Sequence, residues 1–306
     1  MAYEIFKSLY FIERGWLNAN HFVFDGKRKV LIDTGYIASL PETLQLITKT
    51  GFKIQNTQLI IATHGHSDHV GGNNYIQNIS KCEIAMHEIS RHFIENKNRW
   101  SLWWSYYEQE AAFFEVQHTL RDGDFVFLDD LELQVLHTPG HASGLLALYS
   151  PEYKFLISSD AVWNGDFGVL TQRVEGNLSP FLQKESLERL SKLDIKRIFP
   201  GHGGKIDQAK KAIDDCLKRV DLFIEQPERL ARDQVKKIIL FTLLMKSGFS
   251  EQDFFDYLLK TNWYNETVNL YFGGQHENIY KDIMTELKQK GLISSRNSMF
   301  YANLRS

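Results

Sequence analysis

Residues 64–69 read His64-Gly65-His66-Ser67-Asp68-His69, directly after the apolar run Gln58–Thr63. Four side chains that can hold a metal fall within six positions. The run before them is almost continuously apolar, which predicts a strand buried on both faces. The loop is thus expected to hang from a rigid element. His64 and His66 are two residues apart, so on an extended loop they point the same way and can share one cation. Asp68 and His69 fall past the turn, at the start of the next helix, and face a second position. Imidazole nitrogen and carboxylate oxygen are donors that zinc and similar cations favour.

Each position needs further ligands, and the chain supplies them in order. Thr138-Pro139-Gly140-His141 brings His141 to the first position. Pro200-Gly201-His202-Gly203 brings His202 to the second. Asp160, at the end of the apolar run Phe155–Ser159, is placed to bridge both. The expected metal ligands are His64, His66, Asp68, His69, His141, Asp160 and His202, with one shared position open for water. His21, His87, His92, His118, His137 and His276 lack partners at ligand spacing and read as structural or solvent-facing.

With these motifs in place, the chain resembles the metallo-β-lactamase superfamily, on the glyoxalase II-like, β-lactamase-like hydrolase side. The resemblance runs from about Ala19 to Lys205 and includes Leu31-Ile32-Asp33-Thr34-Gly35 ahead of the histidine loop. It implies a four-layer αβ/βα sandwich of the α/β class, with the site at the edge between its halves. It also implies a catalytic supporting role for Asp33, which would bind no metal but hold a ligand histidine or the metal loop by hydrogen bonding.

Two divalent ions about 3.5–4 Å apart would lower the pKa of a bridging water and polarise the bond under attack. A metal-bridging hydroxide is then the expected nucleophile, with Asp68 binding the second ion and orienting it. Zinc is the first choice of cofactor, and iron and manganese accept the same donors. Within the superfamily, true β-lactamases lack the bridging aspartate, and flavodiiron proteins carry a glutamate where His66 stands. Ser159-Asp160-Ala161-Val162-Trp163 departs from the usual glyoxalase II motif, which weakens a glutathione thioester in particular. The expected reaction is hydrolysis of a small ester, thioester or lactone. The alternatives are a metal-dependent endoribonuclease or phosphodiesterase of the same fold, and a binding protein that keeps its metals as a relic.

At 306 residues the chain can form a large core plus a small second unit. Its formal net charge of −3 and apolar fraction of 43 % call for neither nucleic acid nor an anionic membrane. No secretory leader and no membrane-length apolar run is recognisable, so a cytoplasmic protein is expected. Cys82 and Cys216 read as buried thiols.

Expected strands are Tyr3–Leu9, Ala19–Phe24, Lys29–Ile32, Gln58–Thr63, Glu83–Met86, two within Phe125–Leu136, Leu145–Tyr149, Phe155–Ile157 and Ile195–Phe199. Expected helices are Leu40–Thr50, His69–Ile79 and Leu182–Leu190. An aromatic insert at about residues 88–118, with Trp100, Trp103, Trp104, Tyr106 and Tyr107, reads as helical. Its rings would pack on the sandwich or on a second subunit of a homodimer, or else wall a small substrate with an apolar or aromatic part. Trp163, Asn164 and Asp166, which follow Asp160, read first as a plain surface loop and, as the alternative, as part of the pocket lining. The catalytic part is expected over residues 1–207. Residues 208–306 are expected to form a helical, winged-helix-like unit, with helices at Gln208–Phe223, Arg229–Ser247, Glu251–Lys260 and Asn278–Lys290 before a hairpin.

Overall fold

The structure, a computed structural model, describes residues 2–304. It divides into two compact units, one ending at Val220 and the other starting at Asp221.

The first unit is built on two sheets. One orders β1 (Ala2–Phe6), β2 (Leu9–Ile12), β3 (His21–Asp25), β4 (Lys29–Ile32), β5 (Leu59–Ile61), β6 (Glu83–His87) and β7 (His118–Leu120) side by side. Pairing is antiparallel up to β4 and parallel from β4 to β7. The other contains β8 (Phe125–Leu128), β9 (Leu131–His137), β10 (Leu146–Ser150), β11 (Phe155–Ser159) and β12 (Arg197–Pro200), in the order β12-β11-β10-β9-β8. Only β11 and β12 pair in parallel.

Inward residues of both sheets form one core: Phe11, Phe22, Ile32 and Ile61 meet Leu133, Leu148, Ile157 and Phe199. Each such side chain contributes about 2 kcal/mol when fully buried. The outer face of the first sheet (Val23, Leu31, Ile60, Ile84) packs on α1 (Leu40–Thr48), α2 (Ser67–Val70), α3 (Asn73–Ser80) and α4 (Glu88–Glu95) through Ile47, Val70, Ile76 and Ile94. Between β11 and β12 the chain forms α5 (Gln172–Glu175) and α6 (Ser179–Ser191), and after β12 it forms α7 (Ala209–Glu225), within which the two units divide.

Three expectations need correction. Tyr3–Leu9 is not one strand: Ser8 turns at φ +62°, and Leu9–Ile12 pairs back on the first strand. His69–Ile79 is two helices. Gly71 donates its amide to the Gly35 carbonyl, and a Cβ there would strike that carbonyl and the amide of Ile37. The close approach of two loops breaks the helix. The insert is helical only over Glu88–Glu95; residues 96–117 follow an irregular path with Lys97, Trp103 and Glu108 at positive φ. Its rings are buried within the chain, Trp104 fully and Trp103, Tyr106 and Tyr107 nearly so.

The second unit contains α8 (Pro227–Met245), α9 (Phe254–Leu258), α10 (Asn262–Phe272) and α11 (His276–Gln289). Short strands β13 (Phe249–Ser250), β14 (Ile293–Arg296) and β15 (Met299–Ala302) form an antiparallel sheet in the order β13-β15-β14. The helix α10 and strand β13 were absent from the expected set. Trp263, Tyr264 and Phe254 anchor its interior. Burial works against charge on Glu286, but Lys290, Lys236 and Arg232 hold its carboxyl down at about 2. No helix among the described residues is long and apolar enough to cross a membrane.

Candidate metal centre

The carboxyl ends of the parallel strands converge at one edge of the sandwich. In open α/β sheets this is where ligands bind, because the loops leaving those ends open a crevice. The loop after β5 carries His64 and His66, and α2 carries Asp68 and His69. The turn between β9 and β10 carries His141; Asp160 follows β11 and His202 follows β12. The edge is stitched by main-chain bonds: Leu146 N donates to Thr63 O, Ala19 N to Asp68 O and Asn20 N to Gly201 O.

All seven expected ligands meet there. Candidate ligand atoms of His64, His66 and His141 lie within 4.8 Å of one another, as do those of Asp68, His69 and His202. A third set, His64, His69 and Asp160, joins the two. His64 Nε2 lies 3.0 Å from His66 Nδ1. Two nitrogens on one tetrahedral ion, each about 2.0–2.1 Å away, would be roughly 3.3 Å apart. Asp160 lies between the sets, Oδ2 at 3.2 Å from His141 Nε2 and Oδ1 at 3.5 Å and 3.8 Å from Nε2 of His69 and His202. Asp68 Oδ2 is 3.2 Å from His202 Nε2.

The unpaired atoms test whether these residues suit divalent cations. Nε2 of His69 and of His141 are buried without a hydrogen-bond partner. Buried polar nitrogens cost free energy unless something occupies their lone pairs. Their other nitrogens are committed: His69 Nδ1 to Asp33 Oδ2 at 2.8 Å, and His141 Nδ1 to Val169 O at 2.6 Å. His202 Nδ1 likewise donates to Gly15 O at 3.0 Å. Each ring therefore turns Nε2 towards the centre, the nitrogen with which a histidine binds a cation once any proton there is displaced.

The charges agree. Burial and the neighbouring histidines hold His64 and His66 well below the usual imidazole range, hence neutral. Burial also lowers His141, against the pull of Asp160. Burial opposes charge on His69 and His202 as well, but Asp160 and Asp68 raise both. Burial would raise Asp160, yet His69 and His202 draw it well below the carboxylate range. In this electrostatic setting the protons on His69 and His202 stand where a second cation would sit. The donor set fits divalent metal.

Asp33 lies behind the loop rather than in it. Besides His69, it accepts from Thr63 N and Thr63 Oγ1, both at 2.8 Å. Its φ of +56° and that of Ser159, +48°, are left-handed and strained for such residues. Glycines make room: a Cβ on Gly168 would stand 2.5 Å from the His141 ring, and one on Gly201 would overlap Asp160 Oδ1.

Some neighbours of the centre stand outside the ligand motifs. Trp163 is buried, donates Nε1 to Asp160 Oδ1 at 3.2 Å and faces His202, so the surface-loop reading fails for it. Asn164 is exposed, and Asp166 pairs with Arg219 instead. Half-buried Trp16 lies against both Trp163 and His202. None of the six other histidines joins a metal-competent group among the described residues. His87 and His137 stack on each other, and His21 meets Arg14. Cys82 and Cys216 are buried thiols outside any disulfide, and Cys216 Sγ donates to Asp166 O.

The profile of the Metallo-beta-lactamase superfamily matches residues 14–202. The chain belongs to that superfamily. Among relatives, it is 28 % identical over 219 residues to the Beta-lactamase-like protein 2 homolog of Caenorhabditis elegans, covering 69 % of this chain and 62 % of the relative. The chain thus spans under two thirds of that relative's length. It is 29 % identical over 211 residues to the human Acyl-coenzyme A thioesterase MBLAC2, covering 60 % of this chain and 72 % of that protein. A Hydroxyacylglutathione hydrolase of Rhizobium etli is 26 % identical, over 59 % and 62 % of the two chains. Among solved structures, BJP-1, a subclass B3 metallo-beta-lactamase of Bradyrhizobium japonicum, superposes with a TM-score of 0.61 at 17 % identity, covering 75 % of this chain and 94 % of its own. A metallo-beta-lactamase family protein of Thermus thermophilus gives 0.58 at 19 %, covering 98 % and 100 %. At those identities the superfamily likeness to solved structures concerns the fold alone.

Proposed function

We propose that the chain is a two-metal hydrolase of small acyl thioesters, esters or lactones, with zinc as the first candidate ion. The observation that carries this reading is Asp160, which faces both histidine sets and so would join two ions in one centre. Bound divalent ions would supply water activated at neutral pH and a Lewis acid for the substrate carbonyl.

The chain's own residues then divide the remaining work. His64, His66 and His141 would hold the first ion, and Asp68, His69 and His202 the second. Asp68 Oδ2, beside His202 Nε2, is placed to orient the attacking water and to accept its proton. Trp163 fixes the rotation of Asp160. Trp16, the more accessible ring beside His202, supplies an apolar contact for the acyl part. A thioester suits such a site because its thiolate, with a pKa of roughly 8.5, leaves at neutral pH with little help from an acid. Relatives named as thioesterase and hydroxyacylglutathione hydrolase support the same class.

The endoribonuclease or phosphodiesterase reading has less support. Acidic and basic residues balance in number over residues 221–306, which gives that unit no net positive charge to meet a phosphate backbone. We place the chemistry in the sandwich, residues 1–207, and the protein in the cytoplasm.

The test is direct. Protein loaded with zinc, iron or manganese is assayed by elemental analysis, then against acyl-coenzyme A thioesters, aryl esters, lactones and single-stranded RNA. Two equivalents of metal with thioester turnover are expected. Turnover of RNA alone would replace the reading.

A further inference from the structure

Four of the five histidines of the centre share a device: the nitrogen turned away from the metal position is held by a polar neighbour. Thr63 Oγ1 serves His64 at 3.2 Å, Asp33 serves His69, Val169 O serves His141 and Gly15 O serves His202. His66 is the exception. Its Nδ1 faces His64 Nε2, and its Nε2 is buried with no hydrogen-bond partner. What lies against that ring is the indole of Trp103, with centroids 3.9 Å apart and planes tilted by 36°.

Trp103 is itself held. Its Nε1 donates to Glu175 Oε1 at 2.7 Å. The other oxygen of Glu175 accepts from the amide of Ser143 at 2.7 Å and from its hydroxyl. Ser143 is two residues past His141, and the Trp103 ring also lies 4.9 Å from that histidine. One half-buried carboxylate therefore ties the indole that covers His66 to the turn that carries His141.

Packing alone does not explain this arrangement. Leu102 and Trp104 already seat the insert on the metal loop: Trp104 Nε1 donates to Gly65 O at 3.0 Å, and Leu102 fills the space where Gly65 lacks a side chain. Trp103, between them, adopts φ +68°, a conformation that a bulky residue takes only when its surroundings compel it.

We propose that Trp103, locked by Glu175 to Ser143, is a positioning residue for the first metal position, setting the orientation of His66 in place of the missing hydrogen bond. The proposal rests on the two-metal reading above and deepens it. An indole can act this way because its flat face limits rotation of the imidazole about its Cβ–Cγ bond while offering no competing donor or acceptor.

The experiment uses cobalt(II) as the probe, with the full chain and three variants. Trp103→Leu removes the ring, Trp103→Phe keeps a ring without the N–H, and Glu175→Gln loses one of the two acceptor oxygens. Visible absorption of bound cobalt and competition with a chelator are read beside melting temperature. Outer partners of ligand histidines typically change affinity by about 10–100-fold. Trp103→Leu is expected to weaken one of the two equivalents by that factor and to alter the cobalt spectrum. Trp103→Phe should fall between Leu and wild type, and Glu175→Gln should shift the spectrum in the same sense. Should Trp103→Leu not fold, the other two variants decide. Wild-type affinities and an unchanged spectrum in all folded variants would overturn the proposal, whatever their melting temperatures. A wild-type chain that binds cobalt but hydrolyses no thioester would overturn the substrate reading alone, and one that binds no divalent ion would overturn both.

Discussion

Asp33 Oδ2 accepts a hydrogen bond from His69 Nδ1 at 2.8 Å, and that bond decides which nitrogen of His69 faces the centre. Since Asp33 also takes the amide and hydroxyl of Thr63, one carboxylate fixes both the start and the end of the histidine loop. Asp33→Asn keeps the shape but turns an N–H towards one of these donors. If that N–H meets His69, its Nδ1 must become the acceptor and the proton moves to Nε2, where a cation would bind. Metal affinity is expected to fall about 10–100-fold, measured by chelator competition. Wild-type affinity in the variant would contradict this role.

Gly168→Ala and Gly201→Ala test the tightness of the centre. The first Cβ would press on the His141 ring, the second on Asp160 Oδ1. Overpacking of this kind costs about 1–3 kcal/mol. Hydrolysis is expected to drop at least tenfold with the far-ultraviolet circular dichroism unchanged. Full activity in both would show that these side chains are free to move.

Metal uptake should release protons. His69 and His202 are raised by the carboxylates facing them, so without metal they hold protons that a cation must displace. Apparent zinc affinity is then expected to rise with pH through the neutral range. Calorimetry in buffers of differing ionisation enthalpy gives the number released; none released would refute the assignment of the second position.

Acid stability carries a separate signature. Burial, followed by the nearby His137, lowers His87 to about 4 from its usual 6.5. The unfolded chain therefore binds a proton there before the folded one does. The resulting stability is fully present above about pH 6.5 and is lost as pH falls through 4. His87 also caps α4 by accepting from Ile89 N, a task asparagine can perform without titrating. In His87→Asn the melting temperature should decline less between pH 6.5 and 4 than in wild type. Parallel pH profiles would exclude His87 as the source.

Much of the centre was legible because its residues are short-range signals. His64, His66, Asp68 and His69 are neighbours in sequence, and His141, Asp160 and His202 stand beside turns at the ends of apolar runs. Lys29–Ile32 and the β8–β9 hairpin around Asp129-Asp130 were equally readable, since period and turn chemistry are local properties. The irregular path of residues 96–117 was not readable. Aromatic residues at near-helical spacing resemble a helix until the surfaces that bury them are known.

The sequence by itself determined which groups could hold cations and on which strand ends they lie, because backbone hydrogen bonding and apolar patterning act over a few residues. Tertiary structure alone decided that Gly71 must break a helix against Gly35, that Trp16 lies against His202, and that Glu175 joins Trp103 to Ser143. Those contacts join segments remote in sequence, and the strain they impose, as at Trp103, persists only because the finished packing of the whole sandwich outweighs it.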